Sequence, residues 1–232
     1  MGSYHIERGI NNQDYGCEIK NVICICDGCS EGLHSEVGAK LFIKKFRSFI
    51  TNNETETHLI NEMDIHMVFD DVFRILVEKN TCANDIRNYM CFTIMLCQKI
   101  DHVWHISVYG DGFILIQTHE NDLQFININH SPTPHYYIYT YLKIVESIKE
   151  ISHVPSVVKR RFHEKNVHNV FIASDGVSYI IDSPYEDEFQ RLLMALKPGH
   201  LKRFINKLNL KYHSQNGFFK DDITIGTLEG EK

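Results

Sequence analysis

No stretch of this chain approaches the ~20 consecutive apolar residues that a membrane-crossing helix needs. The N-terminal MGSYHIERGINN carries no apolar core of the kind found in a secretion signal, and Ile6 stands where an N-myristoylation pattern requires Ser or Thr. Runs of like charge are missing too. The formal net charge of −6 is spread along the chain, which disfavours nucleic acid as a partner because a phosphate backbone wants a basic face. There is no internal repeat, no low-complexity tract and no shift of composition that would mark a linker. The seven cysteines are odd in number and lie mostly in apolar runs, so without an export signal they read as reduced thiols of a cytoplasmic protein rather than a disulfide frame. What is present is 232 residues, 43% of them hydrophobic, enough to bury a substantial core and expected to form one domain over residues 1–232.

Asp-Gly punctuates the sequence. Val22 to Cys26 is an apolar run that ends in Asp27-Gly28; ISVYGDG places Asp111-Gly112 after a second run, and VFIASDG places Asp175-Gly176 after a third. Asp-Gly is ordinary turn chemistry, and a single junction would mean no more than that. Three junctions on strand ends, joined by Asp14 and by Asp221-Asp222 ahead of the last strand, favour carboxylates gathered at one place. Such a set would repel itself unless hard cations such as Mg²⁺ or Mn²⁺, which prefer oxygen ligands, sat between its members.

Periodicity supplies the rest. Cys17 to Cys26 reads as a hairpin turning at Lys20-Asn21. Ser35 to Phe49 is predicted helical, with Val37, Leu41, Phe46 and Phe49 on its apolar side, and so is Glu62 to Lys79. Cys91–Gln98, Val103–Tyr109, Phe113–Gln117 and Leu123–Ile128 are separated by hairpin-length turns and read as a four-strand antiparallel meander. Tyr136–Leu142 alternates as a strand would, Lys159–His163 and Asn169–Ala173 are further strands, and Tyr185–Leu196 and Gly199–Lys211 form a second helix pair before a closing strand at Ile223–Leu228. Consecutive antiparallel strands with consecutive helices make an α+β chain, its sheets covered by helices.

Five short segments, in order, resemble the metal-dependent protein phosphatase 2C family in its compact bacterial form. They are Arg8-Gly-Ile-Asn-Asn-Gln-Asp14, Val22 to Gly28, Val108 to Gly112, Val170 to Gly176, and Lys220 to Thr224, with Phe92-Thr93 where the family has a Gly-Thr-Thr strand start. The resemblance implies a four-layer α-β-β-α sandwich of two antiparallel sheets flanked by helix pairs. It implies a centre of two Mg²⁺ or Mn²⁺ ions, with a third and weaker one. Carried over residue by residue, Asp27 would bridge both metals, Gly28 would offer its carbonyl, and Asp175 and Asp221 would hold one metal. Asp14 would bond metal-bound water, and Asp111 would help hold the third ion. The catalytic set would then be Asp27, Asp175, Asp221 and Asp14, and a water bridged by the metals would attack the phosphorus of phosphoserine or phosphothreonine. The partner would be a phosphorylated protein, the target of a Ser/Thr kinase or such a kinase itself, with neither nucleic acid nor membrane involved.

Three positions depart from the family pattern. Cys29 stands where His often follows the first Asp-Gly as a candidate proton donor, with His34 five residues on as the substitute. Gln13 replaces a common acidic residue, and Arg8 is the candidate for phosphate contact at a spacing unlike the eukaryotic one. These departures motivate a rival reading: a pseudophosphatase that keeps its metals to dock phosphoproteins without turnover. A phosphatase acting on a small metabolite is a third reading. A structural zinc on Cys24, Cys26, Cys29 and His34 is disfavoured, because no second ligand pair lies at zinc spacing.

Overall fold

A computed structural model describes residues 11–30, 32–53, 56–77, 83–120, 122–129, 134–146, 157–196, 198–212 and 218–230. Arg8 lies outside them. The first hairpin is as expected: β1 (Asp14–Ile19) and β2 (Val22–Asp27) pair antiparallel across a turn in which Lys20 takes a positive φ, so that Asp14 lies opposite Asp27. Helices α1 (Ser35–Asn52) and α2 (Glu62–Leu76) follow, and α2 starts on a capping box in which Asn61 and Asp64 bond each other's backbone. The buried face of α1 is Ala39, Phe42, Phe46 and Ile50; Val37 is exposed, so the face is rotated from the one read off the sequence. A short helix, α3 (Ala83–Met90), comes next.

Strands β3 (Ile94–Ile100), β4 (Val103–Tyr109), β5 (Gly112–Thr118) and β6 (Leu123–Ile128) occupy the expected meander, but it is divided between two sheets. The first sheet has the order β1-β2-β3-β4-β7 and the second β6-β5-β8-β9, where β7 is Val158–His163, β8 Val167–Ala173 and β9 Ile225–Glu229. The chain changes sheet at Gly110-Asp111, where both flanking glycines have positive φ. A turn that carries the chain between layers has the same sequence cues as one that folds it back, so the pattern of residues could not separate them.

Tyr136–Leu142 is a correction. Tyr137–Leu142 lie in α4 (Tyr137–Glu146), with Tyr136 just ahead of it, not in a strand. Tyr137 and Tyr141, four residues apart, share a helical face and pack their rings on Phe69 of α2 at 4.8 and 5.2 Å. Tertiary packing of the ring pair overrides the strand preference of aromatic residues.

Apolar residues form three clusters between four layers. One lies between helices α1–α4 and the first sheet, one between the sheets around Trp104 and Ile172, and one between the second sheet and helices α5 (Glu186–Met194) and α6 (Pro198–Lys211). The result is an α-β-β-α sandwich. Among the described residues no helix is long and apolar enough to cross a membrane.

Candidate metal centre

One end of the sandwich collects the acidic residues. Asp14 opens β1 and Asp27 closes β2, and the hairpin register sets them side by side. Asp175 begins a 3-10 turn (Asp175–Tyr179) directly after β8, Asp111 sits in the crossover between sheets, and Asp221-Asp222 precedes β9. Strand ends at a common edge of two packed sheets bring together residues up to two hundred positions apart.

The local bonding is dense. Backbone bonds tie Asp27 O to Thr93 N at 2.7 Å and Gly28 N to Gln13 O at 3.1 Å, while Thr93 Oγ1 accepts from Asp27 N at 3.0 Å. Ser174 Oγ donates to Asp14 Oδ2 at 2.6 Å and accepts from Thr224 N at 3.0 Å, joining β1, β8 and the approach to β9. Asp222, buried, accepts from Gln13 N at 2.7 Å. The Gln13 side-chain amide donates to Ser35 Oγ at 3.2 Å and to the Cys29 carbonyl at 3.4 Å. Gly28 is buried against the start of α1, where a Cβ would stand 2.8 Å from Ser35 Oγ; a Cβ on Gly176 would overlap the Asp222 carbonyl. Both Asp-Gly pairs are therefore fixed by close approach of neighbouring chain.

The carboxylates feel one another. Burial, followed by the charges of Asp222 and Asp221, pushes Asp14 up to about 6 against the hydrogen bonds from Asp27 and Ser174. Burial and then the charges of Asp221, Asp111 and Asp14 push Asp175 up to about 7. Asp27 is raised well above the usual carboxylate range, first by burial and then by Asp14 and Asp175. Asp111 is raised by burial with a contribution from Asp221. The Asp27 carboxyl lies near those of Asp14 and Asp175, and their charges oppose one another.

Two oxygens stand out. Asp14 Oδ1 and Asp175 Oδ1 are buried with no hydrogen-bond partner among the described residues. A buried, unpaired carboxylate oxygen costs several kcal/mol by rough estimate, and a hard cation is the partner that this all-oxygen set suits. The residues therefore fit divalent metal ions. Among the described residues no three acidic, His or Cys side chains already surround a common point as ligands.

The protein phosphatase 2C family model matches residues 1–209. The chain belongs to the protein phosphatase 2C family. The match ends ahead of Asp221, which the fold places beside Asp14 and Asp175. Among solved structures, a bacterial serine phosphatase superposes with a TM-score of 0.57 at 18% identity, covering 95% of this chain and 92% of that one. A serine/threonine phosphatase of Staphylococcus aureus gives 0.58 at 17% identity, covering 96% and 90%. The catalytic domain of the serine/threonine protein phosphatase PstP, solved in complex with two manganese ions, gives 0.53 at 14% identity, covering 94% and 90%. These likenesses are of fold. No individual curated protein matches the sequence.

Of the residues singled out from the sequence, the fold brings together Asp14, Asp27, Gly28, Asp111, Asp175 and Asp221. His34 is exposed and stacks on Tyr89 of α3 at 5.2 Å. The supporting roles of Ser174 and Thr93 were not read from the sequence, although both lie inside the motifs quoted above; a hydroxyl next to an Asp-Gly strand end is the signal that pointed to them. Tyr136, buried near Cys29, had no such signal.

Proposed function

We propose that this protein is a phosphoserine/phosphothreonine phosphatase dependent on Mg²⁺ or Mn²⁺. The observation that carries the reading is the convergence of Asp14, Asp27, Asp111, Asp175 and Asp221 with two buried carboxylate oxygens left unpaired, Asp14 Oδ1 and Asp175 Oδ1. Family membership and the manganese-bound relative support it. Asp27, the Gly28 carbonyl, Asp175 and Asp221 would hold two cations, with Asp14 beside them and Asp111 serving a third.

When bound, divalent cations supply Lewis acidity: they offset charge on the phosphoryl oxygens and bring a water into its ionising range near neutral pH. The chain's own contribution is placement. Thr93 fixes the backbone of Asp27, and the bond from Asp222 to Gln13 N holds the strand that delivers Asp14. Ser174 orients Asp14 through Oδ2 and leaves Oδ1 turned away from that bond. The thiols, reduced throughout the described residues, suit a cytoplasmic enzyme of a signalling system.

Mn²⁺-dependent release of phosphate from a phosphothreonine peptide tests the proposal. Release that disappears in Asp175→Asn supports it, and no release from metal-loaded wild type sinks it. One observation favours the rival reading of docking without turnover: the Gln13 amide is engaged by Ser35 and Cys29, so it orders a loop rather than a reacting group. Phosphopeptide affinity without hydrolysis would establish that reading instead.

A further inference from the structure

Beside the N-terminal turn of α2 the first sheet carries a groove of about 460 Å³. Trp104, Ile106 and Val108 of β4 point into the core between the sheets, so His105, Ser107 and Tyr109 face the other way and floor the groove. Its outer side is β7, the edge strand, which supplies Lys159, Arg160 and Arg161, all exposed. Lys159 and Arg161 pair with Ser107 and His105 and share their face, whereas Arg160 pairs with Ile106; the single carboxylate among the described lining residues is Glu62, which Lys159 Nζ engages at 2.6 Å. Burial, then the charges of Arg161 and His163, hold the His105 imidazole below its usual pKa, a sign of surplus positive potential. The chain as a whole is at −6, so this patch runs against the general charge. Leu59 and Met63, 37% and 65% exposed, give the groove an apolar lip.

β4 leads from this floor to the metal centre. His105 and Asp111 are six positions apart, about 20 Å at the rise of an extended strand. A peptide lying extended beside β4 would span the same distance in about six residues. Resting on the phosphatase reading above, we propose that the groove docks an acidic segment of the phosphoprotein substrate, carrying an apolar side chain and lying about six residues from the phosphorylated Ser or Thr. The negative segment meets Lys159 and Arg161, which pair with Ser107 and His105 and so share the face of the groove floor, and its apolar side chain meets Met63 and Leu59. Basic residues on an edge strand also discourage pairing between sheets, but that role needs neither a groove nor an exposed methionine beside it.

The test uses two phosphothreonine peptides that differ only in having Glu-Leu-Glu or Lys-Ala-Lys six residues from the phosphothreonine, made in both chain directions. In metal-loaded wild type, the acidic peptide in one direction should show a KM about tenfold lower at similar kcat, the size expected of two partly exposed charge pairs. K159E/R161E should bring the two KM values together, and p-nitrophenyl phosphate hydrolysis should be unchanged, which also reports that the variant is folded. R161Q, a milder change, should move the ratio part of the way. Fluorescence anisotropy of the unphosphorylated peptides needs no turnover: tighter, salt-sensitive binding of the acidic peptide, lost in K159E/R161E, supports the docking site even where no phosphate is released from any substrate, an outcome that sinks the phosphatase reading alone. Equal KM and equal affinity for the two peptides, or an acidic preference that survives K159E/R161E, overturns the docking site.

Discussion

At Asp175, mutual repulsion and function pull in opposite directions. Its carboxyl is held at about 7 by burial and by three neighbouring aspartates, so Asn in its place removes a buried charge that the metal-free protein accommodates poorly. Asp175→Asn should therefore melt higher than wild type in chelator, by about 1–2 kcal/mol in stability, while losing metal-dependent phosphate release. The same residues set a pH dependence of unusual sign for carboxylates. Asp14 and Asp175 bind protons more tightly folded, at about 6 and about 7, than at the ordinary value of 3.8. The stability this contributes is fully present below 3.8 and is lost as pH rises through about 6 and about 7. Chemical denaturation of metal-free protein from pH 4 to pH 8 should show a fall of several kcal/mol. A rise over that range would show that these groups are not protonated together in the fold.

Among the elements, α4 carries the clearest lesson about packing. Tyr141 is buried, its hydroxyl donates to Asp70 Oδ1 at 2.6 Å, and its ring rests on Phe69 and Phe73. Tyr141→Ala should cost about 3–5 kcal/mol in urea denaturation, through lost burial of the ring and the lost hydrogen bond to Asp70, which keeps its ion pair with Arg74 at 2.7 Å. The meander divides for a related reason. β3-β4 and β5-β6 each retain hairpin pairing, but Ile114 and Ile116 of β5 bury more by facing Met95 and Ile106 across the sandwich than by extending the first sheet. Gly110 and Gly112 supply the positive φ values that turn the chain from one layer to the other.

Over the whole molecule, the sandwich is a rigid frame for an acidic edge that works against its own stability until cations arrive. Ligands that bind only the folded state stabilise it in proportion to the logarithm of their concentration, about 2.7 kcal/mol at one hundred times Kd. Mn²⁺ should raise the melting temperature at pH 7.5, EDTA should reverse the rise, and the shift should shrink at pH 5, where protons compete for Asp14 and Asp175. A shift of the same size at both pH values would place the cation elsewhere.

The sequence by itself determined the class of fold, most of the strands and helices, and the identity of the acidic residues, because Asp-Gly at the end of an apolar run is a local signal with a local cause. It also pointed to the family, through short motifs in a fixed order. The tertiary structure decided which face of α1 is buried, that Tyr137–Leu142 lies in a helix, and that the meander crosses between sheets. It decided as well that Asp222 holds Gln13, that Ser174 orients Asp14, and that Lys159 to Arg161 line a groove. Each of these depends on contacts between residues far apart in the chain, and periodicity carries no information about which distant surface an element will meet.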